Sequence, residues 1–157
     1  MPTHSLIPMT LLESPSFQLE RLRRRVREEV EDALSGRQTT LREYWVLTCL
    51  ISATASSQSA LSDALAIDAS DMVRLIDALE ERGWAKRERD PQDRRRQIVA
   101  VTKKGEKAHD NLVTLVTEAE DRALDVSTNK QLKHLRKLAA SILAAEEEPD
   151  GEETKQP

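Results

Sequence analysis

Apolar residues recur along this chain at a helical period, and one short stretch breaks that rhythm. Leu19, Leu22, Val26, Val30 and Ala33 share a face over residues 15–36, predicting a helix with Ser14-Pro15 at its start and Gly36 as its C-terminal cap. Thr40 opens a second helix, Leu41–Ala53, in which Tyr44, Val46, Leu47, Leu50 and Ile51 occupy one wide arc. Leu41, Trp45 and Cys49 fall on its opposite side, a second stripe that a partner subunit or a ligand pocket would cover. A polar link, residues 54–57, leads to a short helix, Gln58–Leu65. Asp68 then caps another, over 69–82, with Met72, Leu75, Ile76 and Leu79 inward and Gly83 ending it.

The rhythm breaks at residues 84–105. Strands are predicted at Ala85–Arg89 and Gln97–Val101, joined by a turn on Asp90-Pro91-Gln92-Asp93, where proline presets φ and the aspartates cap backbone groups. Beyond this hairpin, Thr102 caps a long helix to about residue 126, with Leu112, Leu115, Val116, Ala119 and Ala123 in register. A last helix begins at Thr128 or Asn129 and repeats Leu132, Leu135, Leu138, Ile142 and Leu143. Two short helices joined by a few residues and followed by a hairpin make a winged helix-turn-helix. The predicted class is mainly α (α+β). The parts are an irregular arm (1–13), a dimerisation helix (14–36), the winged domain (37–105), C-terminal dimerisation helices (106–146) and an acidic disordered tail (147–157). Surplus apolar stripes on the terminal helices point to a homodimer.

Charge changes the picture. The 157 residues carry a formal net charge of −4, yet Lys86 to Lys104 holds eight Lys/Arg against three Asp/Glu, a local +5. A cationic finger on an acidic protein suits one polyanion met in one orientation. The first helix mixes Arg21, Arg23, Arg24, Arg25 and Arg27 with Glu28, Glu29, Glu31 and Asp32, which reads as a solvated face of i,i+4 pairs, with DNA-backbone contact the alternative. The single cysteine, Cys49, excludes an intrachain disulfide framework and fits a reducing compartment. Residues 1–8 lack a basic region and a continuous apolar run, so no signal peptide is expected, and no stretch approaches the roughly 18 apolar residues of a membrane span. A soluble cytoplasmic protein follows. No Gly-rich phosphate loop, metal-ligand spacing or nucleophile with an evident base is present, so neither an enzyme nor a cofactor is expected; His4, His109 and His134 are scattered.

Residues 40–143 resemble the MarR (multiple antibiotic resistance regulator) family of bacterial transcription regulators. The resemblance rests on Leu41-Arg42-Glu43-Tyr44-Trp45-Val46-Leu47-Thr48-Cys49-Leu50, on Val73-Arg74-Leu75-Ile76-Asp77, and on Leu79-Glu80-Glu81-Arg82-Gly83-Trp84. It is completed by Arg89-Asp90-Pro91-Gln92-Asp93-Arg94-Arg95 and the exit Val101-Thr102-Lys103-Lys104-Gly105. It implies a triangular homodimer whose terminal helices form the interface and whose winged domains sit on successive major grooves of a pseudo-palindromic operator. It further implies that Arg95 enters the minor groove while Asp93 holds it and the wing in place. Such proteins usually repress, and many release DNA when a small, often phenolic, anion or an oxidant acts near the cleft between the dimer and DNA-binding regions.

Elementary chemistry extends the expectation. A planar, permanently charged guanidinium suits a narrow minor groove. Strand alternation would put Arg94 and Arg96 on the face opposite Arg95, for phosphates or for bracing the wing. The recognition helix is unexpectedly acidic, with Asp68, Asp71, Asp77, Glu80 and Glu81 against Arg74 and Arg82. Ser70, Asp71, Val73 and Arg74 lie in its first half, where bases are read. Asp71 would accept from cytosine or simply favour the helix N-terminus, and Arg74 would donate to guanine or phosphate. Glu80 and Glu81 are expected to face away from DNA. Gln58, Ser59 and Lys86 are expected on the DNA backbone. Trp45 and Cys49 admit three readings: packing against a partner, an effector pocket with Arg42 as the nearest cation, or redox sensing by Cys49. Two other functions compete with a repressor released by an effector: a winged-helix protein-interaction module without DNA binding, and a one-cysteine redox-responsive regulator.

Overall fold

A computed structural model of the chain describes residues 6–53 and 55–147. The elements in order are α1 (Met9–Leu12), α2 (Pro15–Ser35), α3 (Leu41–Ala53), β1 (Ala55–Ser56), α4 (Gln58–Leu65), α5 (Ala69–Glu81), β2 (Ala85–Arg89), β3 (Gln97–Val101), α6 (Lys103–Ala123) and α7 (Asn129–Glu147). They fall into two compact units, one ending at Ala123 and one beginning at Leu124.

Local chemistry sets the helix-turn-helix. Ser57 caps α4 by accepting from the Ala60 N–H at 3.2 Å, and Ala66 ends it in the left-handed region at φ 50°. Asp68 then caps α5, its Oδ1 accepting from the Ser70 N–H at 2.7 Å. Gly83, at φ 71°, closes α5: its N–H bonds the Glu80 carbonyl, and the Trp84 N–H bonds that of Leu79. That pair of bonds is a Schellman cap, and its left-handed residue favours glycine.

Helix α3 lies between two cores. Val46 and Leu50 join Leu61, Met72, Ile76, Leu79 and Val99 in the winged-helix core. Leu41 and Leu47 join Val30, Leu34, Leu112, Val116 and Ala119, where α2 and α6 pack together. A helix apolar on two faces is what this position demands. The expectation that Leu41, Trp45 and Cys49 form one uncovered stripe is therefore corrected. Leu41 is buried in the second core and Cys49 packs against the first, while Trp45 remains 40% exposed. Arg25 Nε donates to the Ala123 carbonyl at 2.7 Å, and Arg122 pairs with Glu29 at 3.6 Å, so part of the charge on α2 ties α6 down. Elsewhere on α2, Arg23–Glu20 and Arg24–Glu28 are exposed one-turn pairs.

Three boundaries and one cap conformation differ from expectation. Residues 9–12 of the supposedly irregular arm form a helical turn, while residues 1–5 lie outside the described residues. The link before α4 contributes β1, which pairs with β3 and makes the sheet three-stranded in the order β1-β3-β2; a two-residue strand has no readable alternation. Gly36 is the C-cap of α2, as expected, but in a right-handed conformation; the left-handed one falls two residues later, at Gln38. Helix α6 stops at Ala123 rather than near residue 126.

In the second unit, Thr128 and Gln131 form a reciprocal capping box that starts α7, each side chain accepting from the other's backbone N–H. Leu135, Leu138, Ile142 and Leu143 are exposed along α7. The predicted tail beyond Glu147 lies outside the described residues.

Candidate nucleic-acid interface

The wing tip is more constrained than a soluble hairpin needs to be. The Asp90 N–H bonds the Arg96 carbonyl at 2.9 Å and closes the loop; Asp90 Oδ1 accepts from the Gln92 N–H at 2.9 Å. Asp93 Oδ1 accepts from the Arg95 N–H at 3.1 Å, and its carbonyl accepts from the Arg96 N–H. From β2, Arg89 Nη1 donates to the Arg94 carbonyl at 3.3 Å. These bonds shape the backbone so that the tip presents side chains outward. Among the described residues, no carboxylate pairs with the guanidinium of Arg94 or Arg95, and both residues are exposed.

Strand alternation does not govern the three arginines. Arg94 and Arg95 lie in the turn, and β3 begins only at Gln97. Arg96 bends back and donates to Ser57 Oγ at 3.3 Å, bracing the wing against the start of α4. Lys86 is exposed and pairs with Glu88 at 3.3 Å.

The acidity of the recognition helix α5 is largely spent within the protein. Asp68 is its cap, and the hydrogen bond from the Ser70 hydroxyl, with backbone N–H bonds, holds its carboxyl below the usual range. Asp71 lies 3.6 Å from Arg42 and 3.7 Å from Arg74. Asp77 and Glu80 both accept from Arg87 Nη1, at 2.7 and 2.6 Å. Glu80 thus faces the wing strand rather than simply away from the interface. Arg74 stays 80% exposed at the side chain, and Val73 beside it is also exposed. At the start of α4, the Gln58 carbonyl oxygen accepts from Arg87 Nε at 2.7 Å, which leaves its amide nitrogen free to donate. The Ser59 hydroxyl lies 3.3 Å from that of Ser57.

Two clusters gave no signal in the sequence. Glu43, buried on α3, accepts from Thr39 Oγ1 at 2.8 Å and from Arg82 Nη1 at 2.6 Å; Arg82 also reaches the Gln38 carbonyl and lies over the Trp84 ring. This joins the end of α5 to the loop before α3. The second cluster lies between α3 and α6: His109 stacks on Tyr44, with centroids 5.4 Å apart, and its Nε2 lies 2.9 Å from Thr48 Oγ1. The Thr48 hydroxyl donates to the Tyr44 carbonyl, so Nε2 carries the proton and donates to it. Burial lowers the pKa of His109, with Asp110 partly opposing. The bonds that join separate elements, Arg82 to Glu43 and His109 to Thr48, link residues tens of positions apart, beyond the reach of any periodicity.

Arg42, expected beside Trp45 and Cys49, pairs instead with Asp71 on the recognition helix. Burial pushes the Cys49 thiol up. Among the described residues no cluster of His, Cys, Asp or Glu could hold a metal ion, and no helix is long and apolar enough to cross a membrane.

Residues 39–96, from the loop before α3 to the wing tip, match the model of the MarR family. Over that segment the chain is similar to the MarR family. Members of that family are transcription regulators. The fold extends beyond the matched segment. CouR from Rhodococcus jostii RHA1, solved bound to p-coumaroyl-CoA, is 29% identical over 88% of this chain and 95% of its own, with a TM-score of 0.75. A MarR-family transcriptional regulator from Rhodococcus sp. RHA1 is 28% identical over 88% of this chain and 96% of its own, with a TM-score of 0.77. A mutant of MarR from E. coli complexed with operator DNA shares the fold at 20% identity, over 87% and 99% of the two chains, with a TM-score of 0.75. A comparison with curated proteins finds no match.

Proposed function

We propose that this chain is a MarR-family member: a homodimeric, sequence-specific DNA-binding repressor of the cytoplasm, released by a small-molecule effector. The observation that carries the reading is the pairing of charges at the interface. Four of the five acids of α5 are capped or bound to arginine, while Arg94 and Arg95 project unpaired from a braced turn. A winged domain serving only protein contacts has no need of that asymmetry. Arg95 is assigned to the minor groove and Arg94 to phosphates, with Arg74, Val73 and Ser70 on base edges and Gln58, Ser59 and Lys86 on the backbone.

Dimerisation is supported by the exposed leucines of α7 and by Leu19 and Leu22, exposed on α2. A mutant of MarR from E. coli was solved with operator DNA and CouR with p-coumaroyl-CoA, which favours an operator and an effector here too. Trp45 and the polar cluster of His109 and Thr48 are the proposed effector contacts. A raised thiol pKa runs against redox sensing by Cys49, because the thiolate is the reactive form. Nuclease footprinting of the DNA upstream of the gene and its neighbours tests the reading. Two protected half-sites about one helical turn apart are expected; no protected site on any of this DNA would contradict it.

A further inference from the structure

We propose that Arg87 is a positioning residue of the DNA interface, fixing the wing against the recognition helix from inside the protein. The inference rests on the DNA-binding reading above. Arg87 stands on β2, and its side chain is only 17% exposed. Its Nε donates to Gln58 Oε1 at 2.7 Å, on α4. Its Nη1 donates to Asp77 Oδ1 and Glu80 Oε2, and its Nη2 to the Val73 carbonyl at 3.3 Å, all on α5. Its backbone N–H donates to Glu80 Oε1 at 2.6 Å, so both carboxylate oxygens of Glu80 serve one residue.

Four of the five N–H donors of the guanidinium therefore have acceptors within the protein, and little of it is left for a phosphate. The partners are placed to matter. Gln58 opens α4, and the Val73 carbonyl precedes Arg74. Moving Arg87 would shift the wing relative to both helices, and a tip displaced from its groove loses its contacts. The planar fork matters, because an ammonium places its three donors on one atom and cannot span all four acceptors at once.

The sign of one substitution separates this role from bulk charge. Removing an acid near DNA should tighten binding if charge alone matters. Glu80→Gln should instead weaken it, since a carboxamide has one acceptor oxygen where two are used. Affinity for the footprinted site is measured by anisotropy at several salt concentrations, on full-length protein whose helicity matches the parent. Arg87→Met is expected to weaken binding about tenfold with the slope of log K against log salt unchanged, since no phosphate contact is lost. Arg87→Lys should recover part of the loss. The Arg87→Met, Glu80→Gln double variant should be no weaker than Arg87→Met.

A slope shallower by about 1 in Arg87→Met, tighter binding by Glu80→Gln, or additive losses would overturn the proposal. So would a lowered melting temperature with unchanged affinity, the mark of a merely structural role. If Arg87→Met does not fold, the sign of the Glu80→Gln effect decides alone. Parent protein that binds no DNA would remove the DNA-binding reading and this one together. Parent protein that binds, with both variants unaffected, would remove this one only.

Discussion

Asp93 holds Arg95 by its backbone: the carboxylate accepts the Arg95 N–H at 3.1 Å and leaves the guanidinium untouched. An acid that paired with the guanidinium would compete with DNA for it. An acid that caps the amide shapes the turn and leaves the charge available. The family resemblance implied that Asp93 holds this arginine; in the structure its carboxylate does so through the backbone amide and not through the guanidinium.

Arg95→Ala should weaken operator binding strongly and make the salt dependence shallower by about one phosphate equivalent, while dimer and helicity persist. Asp93→Ala should lower affinity less and leave the salt slope unchanged, because the arginine remains. Anisotropy with sedimentation as a control checks both. Equal slopes for the parent and Arg95→Ala would remove Arg95 from the groove.

Arg74, flanked by Asp71 and largely exposed, should act on specificity. Arg74→Ala is expected to relax base preference at one position in each half-site, worth about 1–3 kcal/mol of discrimination. A selection from randomised DNA reads this directly. A uniform loss across all sequences would make Arg74 a phosphate contact instead.

How far the sequence revealed this site depended on the range of the interactions. Both wing strands, the Asp68 and Thr102 caps and the Gly83 stop were legible because each is decided by a few adjacent residues. The turn at Arg94-Arg95 was misplaced because a run of like residues carries no alternation. Arg87 was passed over as one more charge in a basic hairpin. Its partners at Gln58, Asp77 and Glu80 come together only when β2 packs on the helices. Likewise, α3 looked like a helix with an uncovered stripe, because periodicity cannot say that a second core waits on the other side.

Gly105 tests the packing where the wing meets α6. A Cβ there would lie 2.1 Å from the Trp84 carbonyl oxygen, a backbone atom that cannot yield without moving the start of β2. Gly105→Ala should cost about 1–3 kcal/mol or more, visible as a lower urea midpoint. An unchanged midpoint would refute the close packing.

His109 predicts a pH dependence. Burial lowers its folded pKa below the ordinary 6.5, so the unfolded chain takes up the proton first. Its contribution to stability is complete above that ordinary value and is lost as pH falls through it towards the folded pKa. The urea midpoint should fall between about pH 7.5 and 5.5, and less steeply in His109→Gln. Identical profiles would show that His109 is not the group responsible.

The central claim is that a braced, cationic wing and a recognition helix with paired acids make this chain a DNA-binding regulator. Fluorescence anisotropy with its own upstream DNA, repeated from 50 to 200 mM salt, tests it most directly. A protein contacting about 6–10 phosphates should lose roughly three to five orders of magnitude in affinity over that range. Absent or salt-insensitive binding would contradict the account and favour a winged domain used for protein contacts.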